Sequence, residues 1–214
     1  MKLYAKHLFL TAIILSLFGC TTLETYIENG EDTYRMIPIE KKGRFIFGEE
    51  FVMENYRLVY NGNTSSQGNN YEETTRKYTF YKGAVPLYGV EITKSEEKGV
   101  LSAIIGLVGI KRCIKIVYAT GIKIEYPINN ESSYITFQDE SITALDITYY
   151  QSRNKNDLEH DWTYTTGFNA TLNGEAYGII SFYPGALYLK HEHTVQDKIM
   201  LYILSAYASY VYKN

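Results

Sequence analysis

Cysteine is nearly absent from this 214-residue chain: there are two, Cys20 and Cys113. The apolar stretches at residues 8–18 and 99–110 both fall short of the roughly 20 residues that a membrane-spanning helix needs. Neither sign of charge dominates. Twenty-one Lys and Arg stand against 24 Asp and Glu, a net of −3, which argues against a nucleic-acid partner and against a polybasic grip on lipid head groups. The Gly-x-Ser-x-Gly elbow, the phosphate-cradling glycine loop and the His-Glu-x-x-His zinc motif are all missing. The local signatures of hydrolases, nucleotide enzymes and metalloproteases are missing with them.

What is present begins at the N-terminus. Lys2 and Lys6 precede the apolar residues 8–18, and polar residues follow Cys20, which is the layout of a secretory signal rather than a membrane span. Leu17-Phe18-Gly19-Cys20 resembles the lipobox of bacterial lipoproteins, with an aliphatic residue at −3, a small one at −1 and then the cysteine. The resemblance implies cleavage between Gly19 and Cys20, acyl chains on the Cys20 thiol, membrane lipid as a partner, and a place in the cell envelope. Several acyl chains hold a protein firmly where one holds it marginally. Thr21 stands where an aspartate signals inner-membrane retention in some bacteria, which favours the outer membrane.

This divides the chain into a signal peptide at 1–19, a lipidated tether at 20–33 and one domain at 34–214. The signal carries two lysines and no acid, so 19 basic residues remain against 24 acidic ones, a net of −5. With Cys20 acylated, Cys113 has no partner for an intramolecular disulfide, and the domain relies on its own core.

The body reads as β structure broken by polar turns. Strands are expected at 34–39, 44–47, 51–60, 78–81 and 87–93, with a loop at 61–75, where Gly62, Asn63, Ser65, Ser66, Gly68, Asn69 and Asn70 accumulate. Residues 99–108 read as a short helix. A three-residue loop at Ala119-Thr120-Gly121 sets Ile116 against Ile124, Ile114 against Tyr126 and Lys115 against Glu125. A two-residue loop would set Ile116 against Glu125 and break the apolar face. Farther on, Trp162, Tyr164, Thr166, Phe168, Ala170 and Leu172 alternate with small and polar residues up to Asn173-Gly174, a type I′ turn signal. Folding back there places Ala170 opposite Tyr177, Phe168 opposite Ile179 and Tyr164 opposite Tyr183. Residues 151–161 form a charged loop.

A helix is expected at 195–212, capped by Thr194 with Asp197 three residues on. Val195, Ile199, Ile203, Ala206 and Tyr210 recur at helical spacing, so one face should pack on the sheet.

Among groups able to do chemistry, His191 and His193 would share a face if they lay on a strand and could then meet a metal, and Glu159 and Asp161 flank His160. Nothing in the sequence brings these together, so neither a metal site nor another cofactor is expected. Lys111, Arg112 and Lys115 surround Cys113, but Arg112 would point to the other face of a strand; a small buried thiol is the reading. The 22 tyrosines accompany frequent isoleucine and asparagine, as a base-composition bias would produce.

These readings amount to an α+β domain, a strongly curved or barrel-like antiparallel sheet with a long C-terminal helix packed on it. The expected function is that of a non-catalytic envelope lipoprotein serving as a binding, interaction or structural module. An envelope protein or a small apolar ligand would be its partner besides lipid. The order of elements resembles helix-grip and lipocalin-like cups, and a ligand cup would be lined by Tyr164, Phe168 and Ile179. An envelope hydrolase is the remaining alternative.

Overall fold

The computed structural model describes residues 34–43, 49–68, 71–97, 110–129, 133–140, 142–153 and 163–213. The expected signal peptide, Gly19, Cys20, the tether, the 44–47 strand, the 99–108 helix, His160 and most of the charged loop lie outside these residues.

In chain order the strands are β1 (Tyr34–Pro38), β2 (Glu40–Lys42), β3 (Glu50–Met53), β4 (Tyr56–Gln67), β5 (Tyr71–Lys82), β6 (Val85–Glu97) and β7 (Ile110–Val117). They continue with β8 (Lys123–Ile128), β9 (Ser133–Asp139), β10 (Ile142–Arg153), β11 (Thr163–Leu172), β12 (Glu175–Phe182) and β13 (Gly185–Lys190), and the helix α1 (Asp197–Lys213) closes the chain. All pairings are antiparallel. They build two sheets, one ordered β1-β13-β12-β11-β10-β9 and the other β2-β3-β4-β5-β6-β7-β8. The expected single curved or barrel-like sheet is thus corrected to a sandwich-like α+β fold whose sheets do not close into a barrel.

Both sheets pack on α1. Residues 199–209 are all buried, and the helix rings reach strands of either sheet. Tyr207 meets Phe51 of β3, with centroids 5.7 Å apart, and Tyr210 stacks on Phe182 of β12 at 3.8 Å. Tyr202 stacks on Phe137 of β9 at 4.3 Å and meets Tyr126 of β8 at 5.8 Å. A helix buried on every side has to be apolar on every side, and Leu201, Ile203 and Leu204 are each fully buried. The expectation of a single packed face therefore falls. Ser205 and Ser209 are tolerated inside because their hydroxyls bond the Leu201 and Ala206 carbonyls, at 2.7 and 2.8 Å. The chain passes between the sheets at Ile39, whose amide bonds the Gly185 carbonyl at 2.8 Å, and again after β8, where the Asn129 amide bonds the Tyr134 carbonyl at 2.8 Å.

The β7–β8 hairpin has the expected register, with Ile114 opposite Tyr126, Lys115 opposite Glu125 and Ile116 opposite Ile124. Gly121 takes φ +82°, as the last position of a three-residue loop requires. The β11–β12 hairpin does not follow its expected register. Leu172 faces Glu175 and Thr171 faces Ala176, but a bulge then inserts Tyr177, so Ala170 faces Gly178 and Phe168 faces Ile180. The extra residue turns the Tyr177 ring inward, where its hydroxyl donates to the Thr194 carbonyl at 3.0 Å. Gly178 fits the remaining space: a Cβ there would lie 2.6 Å from the Tyr188 carbonyl oxygen.

Two further expectations are corrected. Most of residues 61–75 is strand, paired from Gly62↔Lys77 to Gln67↔Glu72. Polar side chains there do not oppose pairing, because both faces meet water and neighbours bond each other; the Asn61 amide donates to the Thr79 hydroxyl at 2.6 Å. The helix starts at Asp197, with its first backbone bond from Met200 to the Gln196 carbonyl at 3.0 Å. Asp197 forgoes the capping box: it accepts from the Tyr56 hydroxyl at 2.7 Å and pairs with Lys82 at 2.8 Å, in the first turn where an anion suits the helix dipole.

Candidate functional site

Alternation along β6, β7 and β8 sorts the chemistry of this region. Ile92, Ile114, Ile116 and Tyr126 point at the helix and are buried, so their neighbours point outward. On that outer face Thr93 pairs with Cys113 and Cys113 with Pro127, while Glu91 pairs with Lys115 and Lys115 with Glu125. Together with Glu73 of β5, Ser95, Lys111 and Asn129, these strands line a groove of about 470 Å³, within the size range of small-molecule pockets.

Its electrostatics are mixed. Lys115 and Glu125 pair across the floor at 3.3 Å. The thiol of Cys113 sits between Thr93 and Glu125; burial first, and then its bond to Glu125, pushes it up to about 12. That bond, and the Lys115 ammonium after it, hold the Glu125 carboxyl below its ordinary range. A thiol raised this far is protonated at neutral pH and is no nucleophile. The groove offers cations, carboxylates and hydroxyls to a small polar ligand.

Two other polar clusters secure the helix. At its start Asp139, with a side chain 5% exposed, pairs with Lys198 at 2.8 Å and accepts from the Tyr202 hydroxyl. Burial first, then Asp139, pushes the Tyr202 hydroxyl above the tyrosine range, so it stays a donor. At the far end Arg76 lies 3.9 Å from the Tyr212 ring centroid and 3.8 Å from buried Glu49, which Lys41 also reaches at 3.1 Å.

Of the residues expected to line an apolar cup, Phe168 and Ile179 lie on opposite faces of their sheet. Phe168 is buried among the rings of Tyr134, Phe182, Tyr210 and Tyr149, with centroids 4.5, 4.8, 5.4 and 5.6 Å away. Ile179 pairs with Asn169, not Phe168, and so belongs to the other face of the sheet. Tyr164 pairs through its backbone with Ser152, and its side chain is outside the described residues. His191 and His193 lie past the end of β13 rather than on a strand. His191 is exposed, and the His193 ring stacks on Tyr177 at 4.9 Å with Nε2 3.0 Å from the Ala176 carbonyl. Among the described residues, no three of His, Cys, Asp and Glu are grouped to hold a metal ion. No described helix is long and apolar enough to cross a membrane.

The groove itself went unread in the sequence. The Lys115–Glu125 pair was the one signal for it; that β5 and β6 stand beside that pair is a matter of sheet order.

Compared with known proteins, the chain matches no family model, no curated protein and no solved structure.

Proposed function

We propose that this chain is a lipid-anchored protein of the bacterial cell envelope, non-catalytic, whose β-rich body binds or assembles through its outer surface. The observation that carries the placement is Leu17-Phe18-Gly19-Cys20 at the end of a basic and then apolar leader. Membrane lipid, through an acylated Cys20, is its first partner, and the absence of aspartate after the cysteine favours the outer membrane. The body's interior supports an outer-surface role over an apolar cup: α1 occupies the space between the sheets, and Phe168 is enclosed by aromatic rings. The groove beside Cys113 is a ligand-sized opening on that surface. Its protonated thiol and its internally paired Lys115 and Glu125 favour holding a ligand over attacking one.

Intact-mass analysis of the chain made in a bacterial host tests the anchor. The native protein should lack residues 1–19 and carry added diacylglyceryl mass, and Cys20→Ala should abolish both that mass and partitioning into detergent. A native chain of unmodified mass would defeat the reading.

A further inference from the structure

The antiparallel order fixes which turns share an end of the body. β6 runs opposite to both β5 and β7, so the β5–β6 and β7–β8 turns rise side by side. The first turn of α1 lies beside them: Asp197 bonds Tyr56 and Lys82, and the Lys198 ammonium sits 5.7 Å from the Tyr118 ring centroid. The chain enters the body at this same end. Tyr34 pairs with Lys190, whose carbonyl accepts from the His193 amide at 3.0 Å on the way into α1.

The turns gathered here differ in chemistry. Glu54 stands on the β3–β4 turn, Glu140 on the β9–β10 turn and Glu175 beside the Asn173-Gly174 turn of β11–β12, all exposed. Between them two turns carry no acid: Lys82-Gly83-Ala84-Val85-Pro86 and Ala119-Thr120-Gly121-Ile122-Lys123, exposed throughout. Val85 is 58% and Ile122 61% exposed. Aliphatic tips with a lysine at the foot of each suit the boundary between lipid head groups and acyl chains, where the tip enters and the ammonium meets phosphate. Lys82 and Lys123 also reach Asp197 and Glu91. Surface pairs of this kind hold weakly and leave both ammoniums available to phosphate.

We propose that the β5–β6 and β7–β8 turns rest in the surface of the bilayer that holds Cys20, with Val85 and Ile122 among the lipid and the flanking acidic turns held off it.

The proposal rests on the lipid anchor, which also selects lipid as the occupant. Residues 20–33 span at most about 50 Å, so the body stays near the membrane that holds the cysteine. A contact too weak to hold a free protein then becomes effectively intramolecular. Anionic head groups set the orientation, because they attract the two turns with lysines and repel Glu54, Glu140 and Glu175.

The test uses the full chain as acylated in a bacterial host, reconstituted in vesicles of phosphatidylethanolamine and phosphatidylglycerol whose acyl chains are brominated or plain. V85W and I122W place a tryptophan on each turn. E175W places one on an acidic turn of the same end, and Y183W places one on the exposed β12–β13 turn at the opposite end. The native chain, with Trp162 alone, gives the background. Brominated lipid should quench the added emission of V85W and I122W roughly two-fold or more beyond that of E175W and Y183W, with unchanged far-UV spectra. Quenching at positions 85 and 122 no stronger than at 175 and 183 overturns the proposal. Intact mass reads the anchor separately: a chain that carries lipid but whose two turns stay unquenched defeats this proposal alone. If the mass shows no lipid, the same variants are mixed with the same vesicles, and selective quenching then upholds the turns although the anchor has failed.

Discussion

Asp197 shows how one side chain ties the helix to a sheet. The Lys82 ammonium first, and then the Tyr56 hydroxyl, hold its carboxyl below the usual carboxylate range. A carboxyl that is more acidic folded than unfolded stabilises the fold above its unfolded pKa of about 3.9, and that contribution fades as pH falls through the lower folded value. The side chain is 43% exposed, so solvent screening limits the pair to about 1 kcal/mol or less. Urea titrations of D197N should therefore show a loss of that order at neutral pH and near-equality with the parent at about pH 2. A deficit that persists undiminished at the acid end would mean that the carboxylate charge is not what matters. The sequence marked Asp197 as a capping-box partner of Thr194 and not as the partner of Tyr56 and Lys82, because those come from strands more than a hundred residues away.

At the scale of the element, α1 departs most from its sequence pattern. Helical spacing of Val195, Ile199, Ile203, Ala206 and Tyr210 described one stripe, whereas Leu201 and Leu204, neighbours at i,i+3, lie about 160° and about 100° round the helix from Ile203, and all three are fully buried. Alanine at each of the three should cost about 2–5 kcal/mol in denaturant unfolding, the range for large apolar residues in cores. A one-faced helix would show one such loss beside a near-silent change, and that pattern would refute the two-sided packing. The β7–β8 hairpin went the other way: its alternation, its glycine and its Lys115–Glu125 pair are local, so its register was legible. The β4–β5 arm was hidden because serine, threonine and asparagine give no apolar alternation when neither face has to be buried. At β11–β12 the alternation and turn were legible but the bulge was not, since Tyr177 turns inward for a carbonyl beyond the end of β13.

For the whole molecule, one helix is the shared core of two sheets. Tyr202, Tyr207 and Tyr210 contact β3, β8, β9, β11 and β12, so neither sheet keeps its buried face if the other lets go. Unfolding followed by far-UV circular dichroism and by near-UV tyrosine signals should give coincident transitions. Two separated midpoints would mean that the sheets are independent units. The β character, the C-terminal helix, the β7–β8 register and the inward direction of Phe168 were legible in the amino-acid order, because each follows from spacing between near neighbours. Tertiary pairing was needed to settle that the strands form two sheets, that the helix is enclosed rather than laid on one face, and that a groove lies beside Cys113. Those depend on which distant strands lie side by side, and alternation along a strand names its buried face without naming what covers it.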